Sequence, residues 1–199
     1  MTPGGRGRSP GRPRDSSIDE RVVAVTRELL LDVGWDELSL RLVAARAGVG
    51  RASLSRRWKS KAELVLHAIL GEAPDMGPFS GTDLHGWIEW VVRGSHELFE
   101  RPDVQAAVPG LMLALAENAE LRTGLWTTFS RPAVELYLTH VQASTDAQRR
   151  RAELDARALL TMAAGAALFS ATISGSSVGD GHPERLRERI AELLTAAVR

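Results

Sequence analysis

The stretch that decides the fold is residues 39–63, SLRLVAARAGVGRASLSRRWKSKAE. Its pattern predicts two short helices, 40–47 and 51–58, joined at Gly48, with a further helix opening at Ser60. The side chains expected to close a small core between them are Val43, Ala44, Ala47, Val49, Leu54 and Trp58. Helices this short are not stable alone. The pattern is typical of a helix-turn-helix, which presents its second helix to a DNA major groove.

The same stretch is strongly basic, and no acid lies between Glu37 and Glu63. A solvated helix face usually mixes charges of both signs, and the whole chain has 25 basic and 25 acidic residues. The clustered cations are Arg41, Arg46, Arg51, Arg56, Arg57, Lys59 and Lys61. Guanidinium groups bind both phosphate oxygens and the guanine edge. The pattern therefore favours DNA binding over the alternative, an ordinary helical corner with a basic surface.

Residues 47–65, AGVGRASLSRRWKSKAELV, resemble the signature of the TetR family of transcriptional repressors. In that family an Ala-Gly-Val turn leads into a recognition helix, an aromatic residue and a Ser-Lys-x-x-Leu helix start. Trp58 stands at the aromatic position, and the resemblance covers about residues 17–70. Two positions depart from the family pattern: Ser55 stands where a phosphate-binding tyrosine is common, and Gly50 where serine or threonine often caps the recognition helix.

The motif and the resemblance together imply a set of DNA contacts. Side chains expected to touch bases or nearby phosphates are Arg51, Ser53, Arg56 and Arg57, whereas Arg41, Ser55, Lys59 and Lys61 would mostly bind phosphates. Ser39, Gly50 and Ala52 complete the set within the motif. Arg12 and Arg14 join it because residues 11–14, Gly-Arg-Pro-Arg, resemble the core of an AT-hook that enters a minor groove. A solvated tail is the alternative for that segment.

Charge and composition divide the chain into three parts. Residues 1–15 are rich in glycine, proline and arginine, which predicts a disordered basic arm. Residues 16–72 are expected to form the DNA-binding domain and residues 73–199 a larger helical domain, with a break in the Pro/Gly-rich residues 71–81. Residues 1–61 carry 13 Lys/Arg and 7 Asp/Glu, a net +6, so the remainder of this neutral chain carries −6. Such a division is expected if only one end meets a polyanion.

Apolar periodicity predicts an all-α protein without strands, with a three-helix DNA-binding unit followed by a helical bundle. A first helix should begin with a capping box at Ser17 and Glu20 and end at Gly34, with Trp35 and Leu38 filling the small core from a loop. The later helices are expected at 83–100, 120–142 with a kink near Ser130, 152–174 and 183–198. Pro109 and Gly110 predict two short helices, rather than one, in residues 104–118.

The resemblance also implies a dimer interface and a ligand cavity. In TetR relatives the last two helices pair with those of a second subunit, and the middle helices enclose a small-molecule effector. Intramolecular burial of both apolar stripes is the alternative for the last two helices. Residues expected to line the cavity are Trp87, Trp90, His96, Phe99, Met112, Leu115, Trp126, Phe129, Tyr137, Met162 and Phe169, with Asn118 and Thr127 as further polar groups. The effector would then be hydrophobic or aromatic.

Enzymes and metal proteins are disfavoured by what the sequence lacks. The chain has no cysteine, and the motif around His96 has Glu100 where a zinc protease needs a second histidine. We therefore expect no cofactor. No uninterrupted run of about 18 apolar residues occurs, so a cytoplasmic protein without a membrane span is expected. A DNA-binding architectural protein without ligand control remains an alternative, and a helical-bundle enzyme a weaker one.

The hypothesis that follows is a ligand-responsive transcriptional regulator, acting as a repressor. A homodimer would place two recognition helices in successive major grooves of a palindromic operator. Effector binding would favour a conformer in which the helix from Ser60 has swung, changing the spacing of the recognition helices and lowering operator affinity.

Overall fold

A computed structural model describes residues 16–71, 83–174 and 183–198, and within these ranges every regular element is helical. The N-terminal helices are α1 Ser16–Asp32, α2 Gly34–Glu37, α3 Leu40–Ala47, α4 Arg51–Arg57 and α5 Lys61–Leu70. The remaining helices are α6 Leu84–Glu100, α7 Pro102–Glu117, α8 Ala119–Leu125, α9 Arg131–His140, α10 Asp146–Phe169 and α11 Pro183–Ala196. Two π-helical turns, Trp126–Ser130 and Ser170–Ser174, follow α8 and α10. The prediction of an all-α fold is confirmed.

The first hydrophobic core joins the N-terminal helices to α7. Its buried side chains from α1 to α5 include Val22, Leu30, Val43, Leu54, Trp58, Leu64 and Val65. The α7 residues Val104, Ala107, Val108 and Leu111 belong to the same core. Burial of apolar surface is the main driving force that holds such short helices together. The helix-turn-helix therefore shares its core with a helix of the C-terminal part.

The second hydrophobic core lies among α6, α9, α10 and α11. Trp87 and Ile88 from α6 are its largest fully buried side chains, and Tyr137 from α9 packs beside them. Small residues of α10, Ala152, Ala156 and Ala163, are buried against α6 and α9. Their lack of bulk lets the helices approach closely.

The predicted boundaries of the helix-turn-helix are confirmed, with small changes at its edges. Helix α3 has the predicted bounds, and α4 ends one residue early because Trp58 is its extended C-cap residue. Trp35 lies in the short helix α2 rather than in a loop. Helix α1 begins at Ser16, so Ser17 is inside the helix and the expected capping box does not mark its start. The expected disordered arm and the boundary at residue 72 fall outside the described residues.

The prediction of two helices in residues 104–118 is wrong, since α7 runs unbroken through Pro109. Proline removes one intrahelical hydrogen bond, to the carbonyl of Gln105. Both residues lie on the exposed side of α7, where water can take the place of the missing donor. The buried face of the helix meanwhile belongs to the first core. Tertiary packing therefore outweighs the local helix-breaking signal.

The irregularity predicted near Ser130 is found as a junction, because the π-helical turn Trp126–Ser130 separates α8 from α9. Pro132 then stands in the first turn of α9, directly after the π-helical turn. Helix α10 starts earlier than predicted. Thr145 caps it in a full capping box with Gln148, so its charged first turns precede the apolar part that periodicity detected.

Candidate functional site

The turn between α3 and α4 depends on a glycine backbone conformation. Gly48 has φ 64°, in the left-handed region, and the N–H of Val49 donates to the Ala44 carbonyl at 3.0 Å. An added methyl group at Gly48 would meet nothing, so the strain of a side chain at positive φ, not lack of space, favours glycine. Ser39 caps α3 by accepting from the Leu42 N–H at 3.2 Å. Gly50 precedes α4 without a side-chain cap.

Helix α4 buries one face and displays the other. Leu54 and Trp58 are buried in the first core, as the sequence predicts. The exposed residues of α4 are Arg51, Ala52, Ser55 and Arg56, and Arg41 and Lys59 are exposed beside it on neighbouring segments. This face carries four cations and no carboxylate among its residues. A surface of this charge suits a polyanion. Exposed side chains at the start of α4 and one turn later could reach base edges.

Arg57, which was expected to contact DNA, forms an ion pair with an acidic residue of α1. Its Nε lies 2.8 Å from Asp19 Oδ1, and both side chains are only 18% exposed. Its Nη1 also donates to Ser53 Oγ at 3.3 Å. The pair fastens the C-terminal turn of α4 to the start of α1, which fixes the direction in which α4 points. Asp19 and Arg57 are 38 positions apart, so no local sequence signal indicates the pair.

Lys61 also points inward instead of towards solvent. Its Nζ donates to the Trp35 carbonyl at 2.7 Å and lies 4.6 Å from the centre of the Trp35 ring. Burial lowers the pKa of Lys61, and the nearby Asp36 carboxylate opposes that shift. Lys61 therefore connects α5 to α2 in this conformation, and the displayed cations are those of α4 and its flanks.

Arg12 and Arg14, which were also expected to contact DNA, lie outside the described residues.

The residues expected to line a ligand cavity divide among the two cores, the groove described below and the exposed surface. Trp87 and Tyr137 pack edge to face in the second core, with ring centres 5.0 Å apart, and Trp87 Nε1 donates to the Ala133 carbonyl at 3.1 Å. Met112, Met162 and Phe169 are exposed. Trp90 and Trp126 pack against the second core, whereas Phe99 packs against the first core. Trp90, Phe99 and Trp126 are half-buried, and Arg157 lies 4.6 Å above the Trp126 ring. Aromatic periodicity shows which faces are buried but not which of them enclose an empty space.

His96 is buried in the middle of α6. Its Nδ1 lies 2.8 Å from the Val92 carbonyl, which can only accept, so Nδ1 is the donor in this contact. Its Nε2 is buried and has no hydrogen-bond partner. A buried acceptor without a partner is costly, which makes His96 the member of the expected set with an unmet hydrogen-bonding requirement.

A groove of about 470 Å³ lies between α5 and the α8 region. One side is formed by residues of α5 and its flanks, and the other by α8 and the following π-helical turn. Its lining residues are Lys59, Ser60, Glu63, Leu66, His67, Gly71, Asn118, Glu120, Leu121, Gly124, Leu125, Thr128 and Phe129. Of the expected ligand contacts only Phe129 and Asn118 are there. Within the groove His67 packs on Trp58, with ring centres 5.4 Å apart. The groove therefore reaches Trp58, the residue that closes the core behind α4.

The last two helices display large apolar side chains. Leu154, Met162, Phe169 and Ile173 are exposed along α10 and its final turn, and Leu186 and Leu193 are exposed on α11. The stretch Asp146–Ile173 is also long and apolar enough, by length and composition alone, to cross a membrane, and 22% of its apolar window is buried. Exposed apolar area of this extent marks an interaction surface.

Comparison with known proteins finds similarity in the region of the helix-turn-helix. The family model described as bacterial regulatory proteins, tetR family, matches residues 22–68. The HTH-type transcriptional regulator YdeS of Bacillus subtilis is 32% identical over 72 residues, covering 36% of each chain. The chain spans about a third of the length of the curated relatives that it matches.

Two solved structures are similar over nearly the whole chain. A TetR transcriptional regulator from Rhodococcus sp. gives a TM-score of 0.63 at 17% identity, covering 91% of this chain and 97% of that one. NalD, the secondary repressor of the MexAB-OprM multidrug efflux pump in Pseudomonas aeruginosa, gives 0.57 at 16% identity, covering 91% and 95%. At these identities the likeness shows a shared fold.

Proposed function

We propose that this chain, whose residues 22–68 match the model of the tetR family of bacterial regulatory proteins, is a cytoplasmic transcriptional regulator that binds an operator in double-stranded DNA and catalyses no reaction. One observation carries the proposal: the family's helix-turn-helix displays an exposed face of cations on α4. Repression is the simplest action of such a protein, since a bound operator is closed to the transcription machinery.

DNA contacts are assigned from the exposed face of α4. Arg51 and Arg56 are exposed on that face, and their guanidinium groups match the O6 and N7 acceptors of guanine. Ser55 and Ala52 lie between them and are small enough to allow close approach. Arg41 and Lys59 flank the helix and would hold phosphates. The Asp19–Arg57 pair would act indirectly, by keeping α4 in position.

Replacement of Arg56 by alanine is expected to weaken operator binding by about 1 to 3 kcal/mol, because a bidentate guanine contact or a close phosphate contact is lost. The operator would first be selected from random duplex DNA with the wild-type protein. Affinity is then measured by fluorescence anisotropy across a salt series, since each lost phosphate contact lowers the salt dependence. Arg93→Ala, which removes an exposed arginine of α6, is the matched control. Equal affinity of the Arg56→Ala protein and the wild type at every salt concentration would disprove the assignment.

A second copy of the chain is proposed to cover the exposed apolar side chains of α10 and α11. One recognition helix reads too few base pairs for useful specificity, whereas a two-fold dimer reads two half-sites. Leu193 is exposed on α11 while its neighbour Leu194 is buried in the second core. One face of α11 thus serves the chain's own core, and the other remains for a partner.

Substitution of Leu193 by glutamate is expected to convert the dimer to monomers, because an unpaired carboxylate would be buried in the interface. Sedimentation equilibrium of the wild-type and variant proteins measures the change. Leu113→Glu provides the control, since Leu113 is also an exposed leucine but lies on α7, outside the proposed interface helices. A variant that remains dimeric would place the interface elsewhere, and a monomeric wild type would remove the proposed dimer altogether.

The effector is proposed to bind in the groove between α5 and α8. Its lining combines apolar side chains, Leu66, Leu125 and Phe129, with polar groups such as His67, Glu120 and Thr128. This mixture suits an amphipathic small molecule with an aromatic or aliphatic body and hydrogen-bonding groups. Because α5 forms one wall, a bound molecule would displace α5 and, through His67 and Trp58, the recognition helix.

A further inference from the structure

The C-terminal end of α5 is attached to the start of α7. Arg101 Nη1 donates to the Ile69 carbonyl at 2.9 Å, and Arg27 Nε donates to the Ala68 carbonyl at 2.6 Å. Both arginines face Asp103, which is buried, with Arg101 Nη2 2.5 Å from Asp103 Oδ2 and Arg27 Nε 3.9 Å from it. The last carbonyls of a helix lack internal donors. The arginines supply those donors, so α1, α5 and α7 meet at one point.

Helix α5 is attached to α2 at its other end, and α2 lies against α7. Lys61 in the first turn of α5 binds the Trp35 carbonyl and lies over the Trp35 ring. Trp35 also contacts Gly110 of α7. A methyl group built on Gly110 would overlap Nε1, Cε2 and Cδ1 of the indole. The indole therefore occupies the place that any side chain at position 110 would need.

Gly110 differs in this respect from three other glycines within described helices. An added methyl group would meet nothing within 4 Å at Gly124 or Gly165, and at Gly94 it would lie at an ordinary 4.0 Å from Trp90 Nε1. Glycine is also a poor helix former, less favourable than alanine in a helix interior. Helix propensity would favour alanine at position 110, so the close approach of Trp35 is the physical reason for glycine there.

We propose that Trp35 and Gly110 are positioning residues for DNA recognition: their contact sets the orientation of the helix-turn-helix relative to α7. Two attachments about 7 residues apart on one helix, at Asp103 and Gly110, fix both the tilt and the rotation of the N-terminal helices on α7. A movement of α7 would thus be passed to α4 through Trp35, Lys61 and α5. The proposal rests on the proposed function where it concerns operator binding, but the orientation itself can be measured without DNA.

The test compares Gly110→Ala, Trp35→Ala and the double variant Trp35→Ala/Gly110→Ala with Gly94→Ala, which adds the same methyl group beside another indole without overlap. The chain contains no cysteine, so cysteines introduced at exposed Ala45 of α3 and Thr139 of α9 can carry spin labels. Dilution with unlabelled protein leaves a single intramolecular distance, measured by pulsed electron resonance. Affinity for the duplex selected by the wild type is measured in parallel, with thermal melting as a check on folding.

Gly110→Ala is expected to shift the distance between the labels and to weaken duplex binding about tenfold or more, because an added methyl group in a packed contact forces its neighbours apart. Gly94→Ala should change neither quantity. In the double variant both should return to their values in Trp35→Ala, since the space left by the indole admits the methyl group. If Gly110→Ala fails to fold, the double variant should fold.

Two results would overturn the proposal: an unchanged distance in Gly110→Ala, or a double variant as impaired as Gly110→Ala. If the wild type selects no duplex, the proposed function fails, but the distance measurement still decides whether Trp35 and Gly110 set the orientation.

Discussion

Replacement of Trp58 by alanine is expected to lower the free energy of unfolding by about 3 to 5 kcal/mol, the usual cost of removing a buried tryptophan. Trp58 is 5% exposed, caps α4 by donating its backbone N–H to the Leu54 carbonyl at 3.0 Å, and packs on His67. Since most natural domains are stable by only about 5 to 15 kcal/mol, this loss would remove a large share of the stability and raise the unfolded fraction of the N-terminal helices. Urea denaturation followed by circular dichroism measures the loss.

Trp58→Phe is the matched control, because phenylalanine keeps an aromatic ring against His67 and leaves a smaller cavity. It should retain most of the stability and bind the selected duplex. DNA binding of Trp58→Ala should be lost together with its folded N-terminal helices. A midpoint equal to that of the wild type would mean that Trp58 does not close the core behind α4.

The helix-turn-helix could be predicted from sequence because its signals are local. Gly48 at the turn and the buried Leu54 and Trp58 lie within one short stretch, and each has the predicted position; Arg51 and Arg56 in the same stretch are exposed, as expected. Local periodicity also reports burial reliably, which is why the later helices occur close to where they were expected.

What sequence reasoning missed depends on contacts between distant parts of the chain. Pro109 and Gly110 predicted a break in α7, yet the helix is held by the first core and by Trp35, 75 residues earlier. Arg57 and Lys61 read as exposed cations, but partners on α1 and α2 turn both inward. The same limit applies to the expected ligand residues: the sequence marks them as apolar, and only packing separates core from groove.

Trp87 gives the clearest case of that distinction, and its replacement by alanine is expected to cost about 3 to 5 kcal/mol of stability. The indole is fully buried, packs edge to face on Tyr137 and donates to the Ala133 carbonyl. Its removal would leave a cavity among α6, α9 and α10, and a buried carbonyl without its donor. A residue that merely lined an open ligand cavity would lose much less.

Met112→Ala is the matched control, because Met112 belongs to the same predicted ligand-contact set but is 43% exposed on α7. Its free energy of unfolding should stay within about 0.5 kcal/mol of the wild type. Both variants are measured by urea denaturation, with near-ultraviolet circular dichroism reporting the packing of the remaining aromatic rings. A Trp87→Ala protein as stable as Met112→Ala would show that the second core does not depend on Trp87, and Trp87 would again be a candidate for ligand contact.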